Sequence, residues 1–286
     1  MALTFPPGPL SASPGPRNFT VDGPGHKVML TPSATRLRVV VGDGAGGSRT
    51  VVDTTHAVLL HESNLLPRYY VPVEDVDADA LRPSGTATHC PFKGDATYAS
   101  VAVGGRTVED LLWFYREPVE GMGELAGLAG LALEQLDLLP PDARTQDGDD
   151  GHEPLDAVLE EDELLLGHPR DPYHRVDSRP SSRHVVVTWH REDGEDVVLA
   201  DTTRAVGVFE TGLPARWYVP ADDVRTDLLI DSPTRTVCPY KGVAHYRSLV
   251  DGPADVAWTY PDALPEAGAA EGMFCLLADG ITTTVE

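Results

Sequence analysis

The sequence predicts an all-β protein made of two homologous small domains in tandem, each a sandwich or barrel of short strands. Three observations carry this. Residues 53–100 overlay residues 201–248 without a gap, and 25 of those 48 positions are identical. Runs rich in Val, Thr and aromatic residues recur at short spacing in both copies, divided by Gly, Pro and Asp turn residues. At 286 residues the chain is also long enough for two domains with separate cores. A repeat of this length means one module used twice.

The elements follow in order. Residues 1–23 are rich in Pro, Gly and Ser, lack the charged-then-apolar order of a signal peptide, and read as a flexible leader. The first domain is expected over residues 24–139. Its strand candidates are residues 37–41, a β-branched run ended by a Gly-rich turn, then 50–52, 57–60 and 68–71, stopped by Pro72. A loop over residues 73–85 leads to the Cys90-Pro91-Phe92-Lys93-Gly94 turn, followed by strands at 96–103 and 108–115. Residues 127–136 fit helix or strand by periodicity, and their copy at 273–277 favours strand for both.

Residues 140–167 are expected to form an acidic linker. Its Pro/Asp/Gly part, residues 140–154, reads as disordered and as the place where limited proteolysis would cut. A short amphipathic helix is expected over 155–166. The second domain, residues 168–286, repeats the order with strands at 185–189, 197–199, 205–209, 216–219, 244–249 and 256–260.

Composition narrows the function classes. The net charge is −23, with 45 acidic residues against 22 basic ones. Such a surface repels phosphate backbones, and no basic run offsets it, so no nucleic-acid partner is expected. No stretch reaches 18 consecutive apolar residues, so no membrane span is expected. Three cysteines form no even framework, which favours a reducing cytoplasm.

Lysine is the most pointed signal. The chain has 19 Arg and 3 Lys, yet Lys93 and Lys241 occupy the same position in the two copies. Only Lys is compact and nucleophilic as a free amine. Cys90 and Cys238 stand three residues earlier, so a thiol and an amine meet around a Pro-initiated turn, an arrangement that can lower a thiol pKa. The bland alternative is a tight turn with a small core cysteine. That alternative outweighs catalysis for the cysteines and stands level with it for the lysines.

Other matched polar residues are Arg68/Arg216, Tyr70/Tyr218, Tyr98/Tyr246, Glu62/Glu210, Thr86/Thr234, Ser100/Ser248 and His26/His174. Arg, Lys and hydroxyls converging on one face would form a pocket for an anion. For Arg68 and Glu62 alone, an ordinary ion pair is the simpler reading. Trp113/Trp258 and Tyr115/Tyr260 alternate along a strand and read first as core, second as pocket wall. Neither a Cys-x-x-Cys knuckle nor a His-Glu-x-x-His nor a calcium loop is present, so no metal and no cofactor is expected.

The run Arg-Tyr/Trp-Tyr-Val-Pro, then Thr-x-Thr-x-Cys-Pro-Tyr/Phe-Lys-Gly-x-Ala-x-Tyr-x-Ser and the later Trp-x-Tyr resemble domain of unknown function family 427. The His168-Pro-Arg-Asp-Pro-Tyr173 connector is similar to that of its tandem bacterial members. The resemblance implies a β-barrel or β-tent-like module, and carries a nucleotidyltransferase-type label. The Gly-Ser plus Asp-x-Asp pattern that metal-dependent nucleotidyl transfer uses is absent here. Asp77-x-Asp79 has the spacing in the first copy only.

The leading expectation is a cytoplasmic protein whose modules each bind a small polar or anionic molecule. The expected cleft is formed by Arg68, Tyr70, Cys90, Lys93 and Tyr98, and in the second copy by Arg216, Tyr218, Cys238, Lys241 and Tyr246, with the arginines, tyrosines and lysines as the ligand-binding candidates. Two other classes compete. One is an enzyme acting through Cys90, Lys93, Cys238 or Lys241; the other is a structural or protein-binding β domain.

Overall fold

A computed structural model describes residues 25–138 and 155–286. These fall into two compact units, residues 25–138 with 155–169, and residues 170–286. Both are all-β: among the described residues the only helices are short 3-10 turns.

In the first unit the strands are β1 (Val28–Pro32), β2 (Leu37–Gly42), β3 (Ser48–Thr54), β4 (Val58–Glu62), β5 (Arg68–Pro72), β6 (Leu81–Cys90), β7 (Gly94–Val103), β8 (Arg106–Phe114), β9 (Leu128–Leu131), β10 (Ala157–Glu160) and β11 (Glu163–Leu164). They form a seven-stranded sheet in the order β1-β4-β5-β9-β8-β7-β6 and a four-stranded sheet in the order β11-β10-β2-β3. All the pairings are antiparallel.

The second unit repeats this with β12 (Val176–Pro180), β13 (Val185–His190), β14 (Asp196–Thr202), β15 (Val206–Glu210), β16 (Arg216–Val219), β17 (Leu229–Cys238), β18 (Gly242–Leu249), β19 (Ala257–Thr259), β20 (Phe274–Leu276) and β21 (Ile281–Val285). Its sheets run β12-β15-β16-β20-β19-β18-β17 and β14-β13-β21.

The large sheet is apolar on both faces, which explains the unbroken apolar runs in its strands. Side chains alternate across a strand. Along β4, Leu59 joins the main core while Val58 and Leu60 join a second cluster. Along β5, Tyr69 and Val71 face the main core and Tyr70 faces the second; along β8, Leu112 and Phe114 divide from Trp113 in the same way. The main core also takes in Leu37, Val39 and Val41 of the small sheet. Each fully buried Leu or Val there contributes roughly 1.5–3 kcal/mol. The second cluster is what floors the site described below.

Two expectations need correction. Residues 155–166 form no helix: β10 and β11 make a hairpin that completes the small sheet against β2. Asp156 locks it there. Its side chain is 0% exposed, and it accepts two hydrogen bonds from Arg106 (2.6 and 2.7 Å) and others from the Gly42 and Asp137 amides (3.1 and 2.8 Å). The residues read as the end of a linker are therefore the last strands of the first unit, in the place β21 takes in the second. The expected disordered part, residues 140–154, lies outside the described residues.

The expected loop over residues 73–85 is the second correction. It ends within β6, an edge strand with most of its side chains exposed. Pro83 and Gly85 sit at an irregularity in its pairing with β7. An edge strand tolerates Pro and shows no apolar alternation, which hid it.

Candidate functional site

The turn between β6 and β7 places the lysine. The Lys93 amide donates to the Cys90 carbonyl (3.2 Å), and Gly94 takes φ +108°, a region L residues rarely adopt. A Cβ on Gly94 would also press on the Glu117 carbonyl. The second copy repeats this with Lys241, Cys238 and Gly242 at φ +103°.

So held, the Lys93 ammonium donates to Glu62 Oε2 at the end of β4. The other Glu62 oxygen meets His26 Nε2 at 3.1 Å, and His26 stacks on Phe92 with ring centres 3.9 Å apart. In the second unit Lys241 donates to Glu210, whose other oxygen meets His174 Nε2 at 3.0 Å. Burial would push the Glu210 carboxyl up, but the bonds from His174 and Lys241 outweigh it and hold it below its usual range.

This clamp accounts for Lys where the chain otherwise uses Arg. A point-charge ammonium on an unbranched stem suits one carboxylate oxygen in a closed space. A guanidinium would bring five donors there and leave several unmet.

Around the clamp lies a cleft of about 490 Å³ in the first unit. Glu62, Arg68, Tyr70, Lys93, Tyr98 and Trp113 line it, together with Thr86, Asp110, Tyr115, the turn Leu133–Gln135 and residues 167–169. All four ligand-binding candidates of the first copy thus border one concavity. Arg68 pairs with Glu134 and not with Glu62 as the simpler reading had it. The pocket-wall reading holds for Trp113, whose indole N–H donates to the Tyr70 oxygen (2.8 Å). Tyr98 meets Thr88 at 3.0 Å.

The second unit carries the matching contacts. Trp258 donates to Tyr218 (2.9 Å) and Tyr246 meets Thr236 at 3.2 Å. Arg216 begins β16 as Arg68 begins β5. Burial pushes the phenols of Tyr70, Tyr115, Tyr218 and Tyr260 up, so they stay protonated through the physiological range.

The cysteines stand apart from this polar set. Cys90, expected in the cleft, packs instead against the second apolar cluster and is absent from the cleft lining. Burial pushes the Cys238 thiol up, and the charge of Lys241 only partly opposes it. A thiol activated by its lysine neighbour is therefore not what the turn delivers at Cys238.

Asp110 and Glu134 escaped the sequence reading. Asp110 corresponds to Asp255 only after the copies slip by three residues, so the ungapped overlay does not reach it. Asp77 is engaged elsewhere, accepting from Arg49 and from the Asp79 amide. Among the described residues no group of three or more His, Cys, Asp or Glu side chains is arranged to hold a metal ion.

A family model named NTP_transf_9 and described as Domain of unknown function (DUF427) matches this chain twice, over residues 29–139 and 177–286. No curated protein matches it.

Proposed function

The chain belongs to the DUF427 family as a tandem two-domain member, and from the site its domains share we propose that it binds a small polar molecule on the outer face of each large sheet. The observation that carries this is the convergence of Arg68, Tyr70, Lys93 and Tyr98 on one cleft of about 490 Å³. That size suits a small-molecule site, and the lining joins Tyr70, Tyr98, Trp113 and Tyr115 to charged and polar side chains that can orient a ligand. Its two cations are already paired within the protein, Lys93 with Glu62 and Arg68 with Glu134. A neutral or donor-rich ligand therefore fits better than an anion.

An enzyme acting at the same residues ranks second. Its nucleophiles would be a lysine held by a carboxylate and a cysteine away from the cleft lining. Nucleotidyl transfer, the activity in the family's label, draws no support from Asp77 and Asp79, which are absent from that lining, and two of the three acidic residues that do line it, Glu62 and Glu134, are paired with Lys93 and Arg68. A cytoplasmic setting belongs to the same proposal and is supported by three free thiols. No helix among the described residues is long and apolar enough to cross a membrane.

The test is a thermal-shift screen of the full chain against a panel of polar metabolites. A ligand at a hundred times its Kd adds about 2.7 kcal/mol of stability. Arg68→Ala and Tyr98→Ala should each abolish the shift of any hit while leaving the unliganded melting curve nearly unchanged. Hits indifferent to both variants would refute the cleft as the binding place.

A further inference from the structure

Asp110 is the one acidic residue of the cleft whose charge is not met by a cation among the described residues. It sits in β8 at an irregularity in the β7 pairing, with φ +52°. Bulges of this kind re-aim side chains beside functional sites, and a non-glycine residue held at positive φ marks a place where the surroundings impose the conformation. The Ser100 hydroxyl fixes it by meeting the Asp110 amide at 3.1 Å.

Thr86, which also lines the cleft, donates to Asp110 Oδ2 at 2.6 Å. The other oxygen, Oδ1, is shielded from solvent and has no hydrogen-bond partner. A carboxylate oxygen shielded in this way is costly and wants a donor.

The second unit shows what satisfaction looks like. Asp255 has the same backbone, φ +56°, and the same serine beneath it, Ser248 at 3.1 Å. There both oxygens are occupied, Oδ1 by Ser232 (2.5 Å) and Oδ2 by Thr234 (2.7 Å). Ser84, the counterpart of Ser232, accepts from the Thr86 amide at 3.0 Å just as Ser232 does from the Thr234 amide at 3.1 Å, but it gives no matching hydrogen bond to Asp110. The first copy therefore keeps an acceptor beside its cleft that the second has closed.

Resting on the cleft reading above, we propose that the first domain binds a small organic amine, its ammonium held by Asp110. In the proposed complex the Asp110 side chain turns so that Oδ1 faces the cleft that the residue lines. The apolar part of the amine lies against Tyr98 and Trp113, cross-strand neighbours that both line the cleft. Aromatic faces favour such a cation a second time.

Three probes of one shape and different charge test this: benzylamine, benzyl alcohol and benzoate, titrated into the full chain at neutral pH by calorimetry. Benzylamine should bind at least tenfold more tightly than benzoate. Asp110→Asn should flatten that order, and Asn is well suited to positive φ, so the fold survives. Asp255→Asn should change nothing. Ring binding without charge preference, or a preference that Asp110→Asn leaves intact, overturns the amine assignment but leaves the cleft reading standing. If none of the three binds at millimolar concentration, the amine assignment falls, and the metabolite screen with Arg68→Ala and Tyr98→Ala decides the cleft reading separately.

Discussion

Lys93 and Glu62 form an ion pair with side chains only 8% and 10% exposed, and Lys241 and Glu210 repeat it at 12% and 9%. The partners lie 31 residues apart in both copies, one in a turn and one at a strand end. Each pair pins the Cys-Pro-x-Lys-Gly turn to the strand that borders the site. It is a clamp, and its energetic signature differs from that of a surface salt bridge.

Breaking it from one side leaves a buried charge without compensation. Lys93→Met should destabilise the first domain by about 3–5 kcal/mol. The double variant Lys93→Met/Glu62→Leu should recover most of that loss, because an apolar pair replaces both charges. Urea midpoints of the four proteins in the cycle decide it. Single variants as stable as the parent would mean the pair is not shielded as described.

Cys275 makes stability depend on alkaline pH. Burial pushes its thiol up from 9.0 to about 12. The unfolded chain then loses this proton first, so it binds fewer protons than the native state and stability falls as pH rises between those values. Cys275→Ala should lose less stability than the parent as pH rises from about 9 toward about 12. The same thiol should resist labelling at neutral pH until the domain unfolds. Rapid stoichiometric labelling of the folded protein would contradict this.

The two-fold plan was legible because duplication writes itself into sequence, and most strands were legible because apolar runs between Gly and Pro are. The partners inside the site were not. Glu62 is visible as a matched residue, but sequence alone points to Arg68, six residues away, as its partner, because it does not show which side chains share a face once β4 pairs with β5. His26 and His174 were matched as well, with nothing to show that each would meet a glutamate. The hairpin over residues 157–164 reads as a helix in sequence because the two acidic residues at its turn resemble a helix surface. Its signal lay in the second copy, where β21 had no partner before the insert.

The copies differ beneath the tryptophan, and this makes a prediction about the cleft. Gly130 lies under the Trp113 indole, where any Cβ would collide with the ring. Cys275 takes that place in the second unit, and the Tyr–Trp ring separation grows from 5.5 Å to 6.4 Å. Gly130→Ala should push Trp113 outward, cost about 1–3 kcal/mol by overpacking, and weaken any ligand of the first domain. Tryptophan fluorescence and the affinity of a validated ligand would both move. An unchanged affinity would place the ligand away from Trp113.

Asp156 provides the sharpest test of where the first domain ends. If the residues after 154 were only a connector, removing this carboxylate would change little. The structure instead gives it four donors in a fully closed place, two from Arg106 and two from backbone amides. Asp156→Ala leaves the Arg106 charge and two amides unmet at once, a loss of about 3–5 kcal/mol. Because the hydrogen bonds of β10 run to β2, the damage should begin there. Hydrogen exchange should rise along β10 and β2, while β13 and β21, which hold the equivalent positions in the second unit, keep their protection. Asp156→Asn, which keeps one acceptor and the shape, should fall between. Continued protection of β10 in the alanine variant would mean that strand pairing alone holds the hairpin, and the carboxylate is incidental.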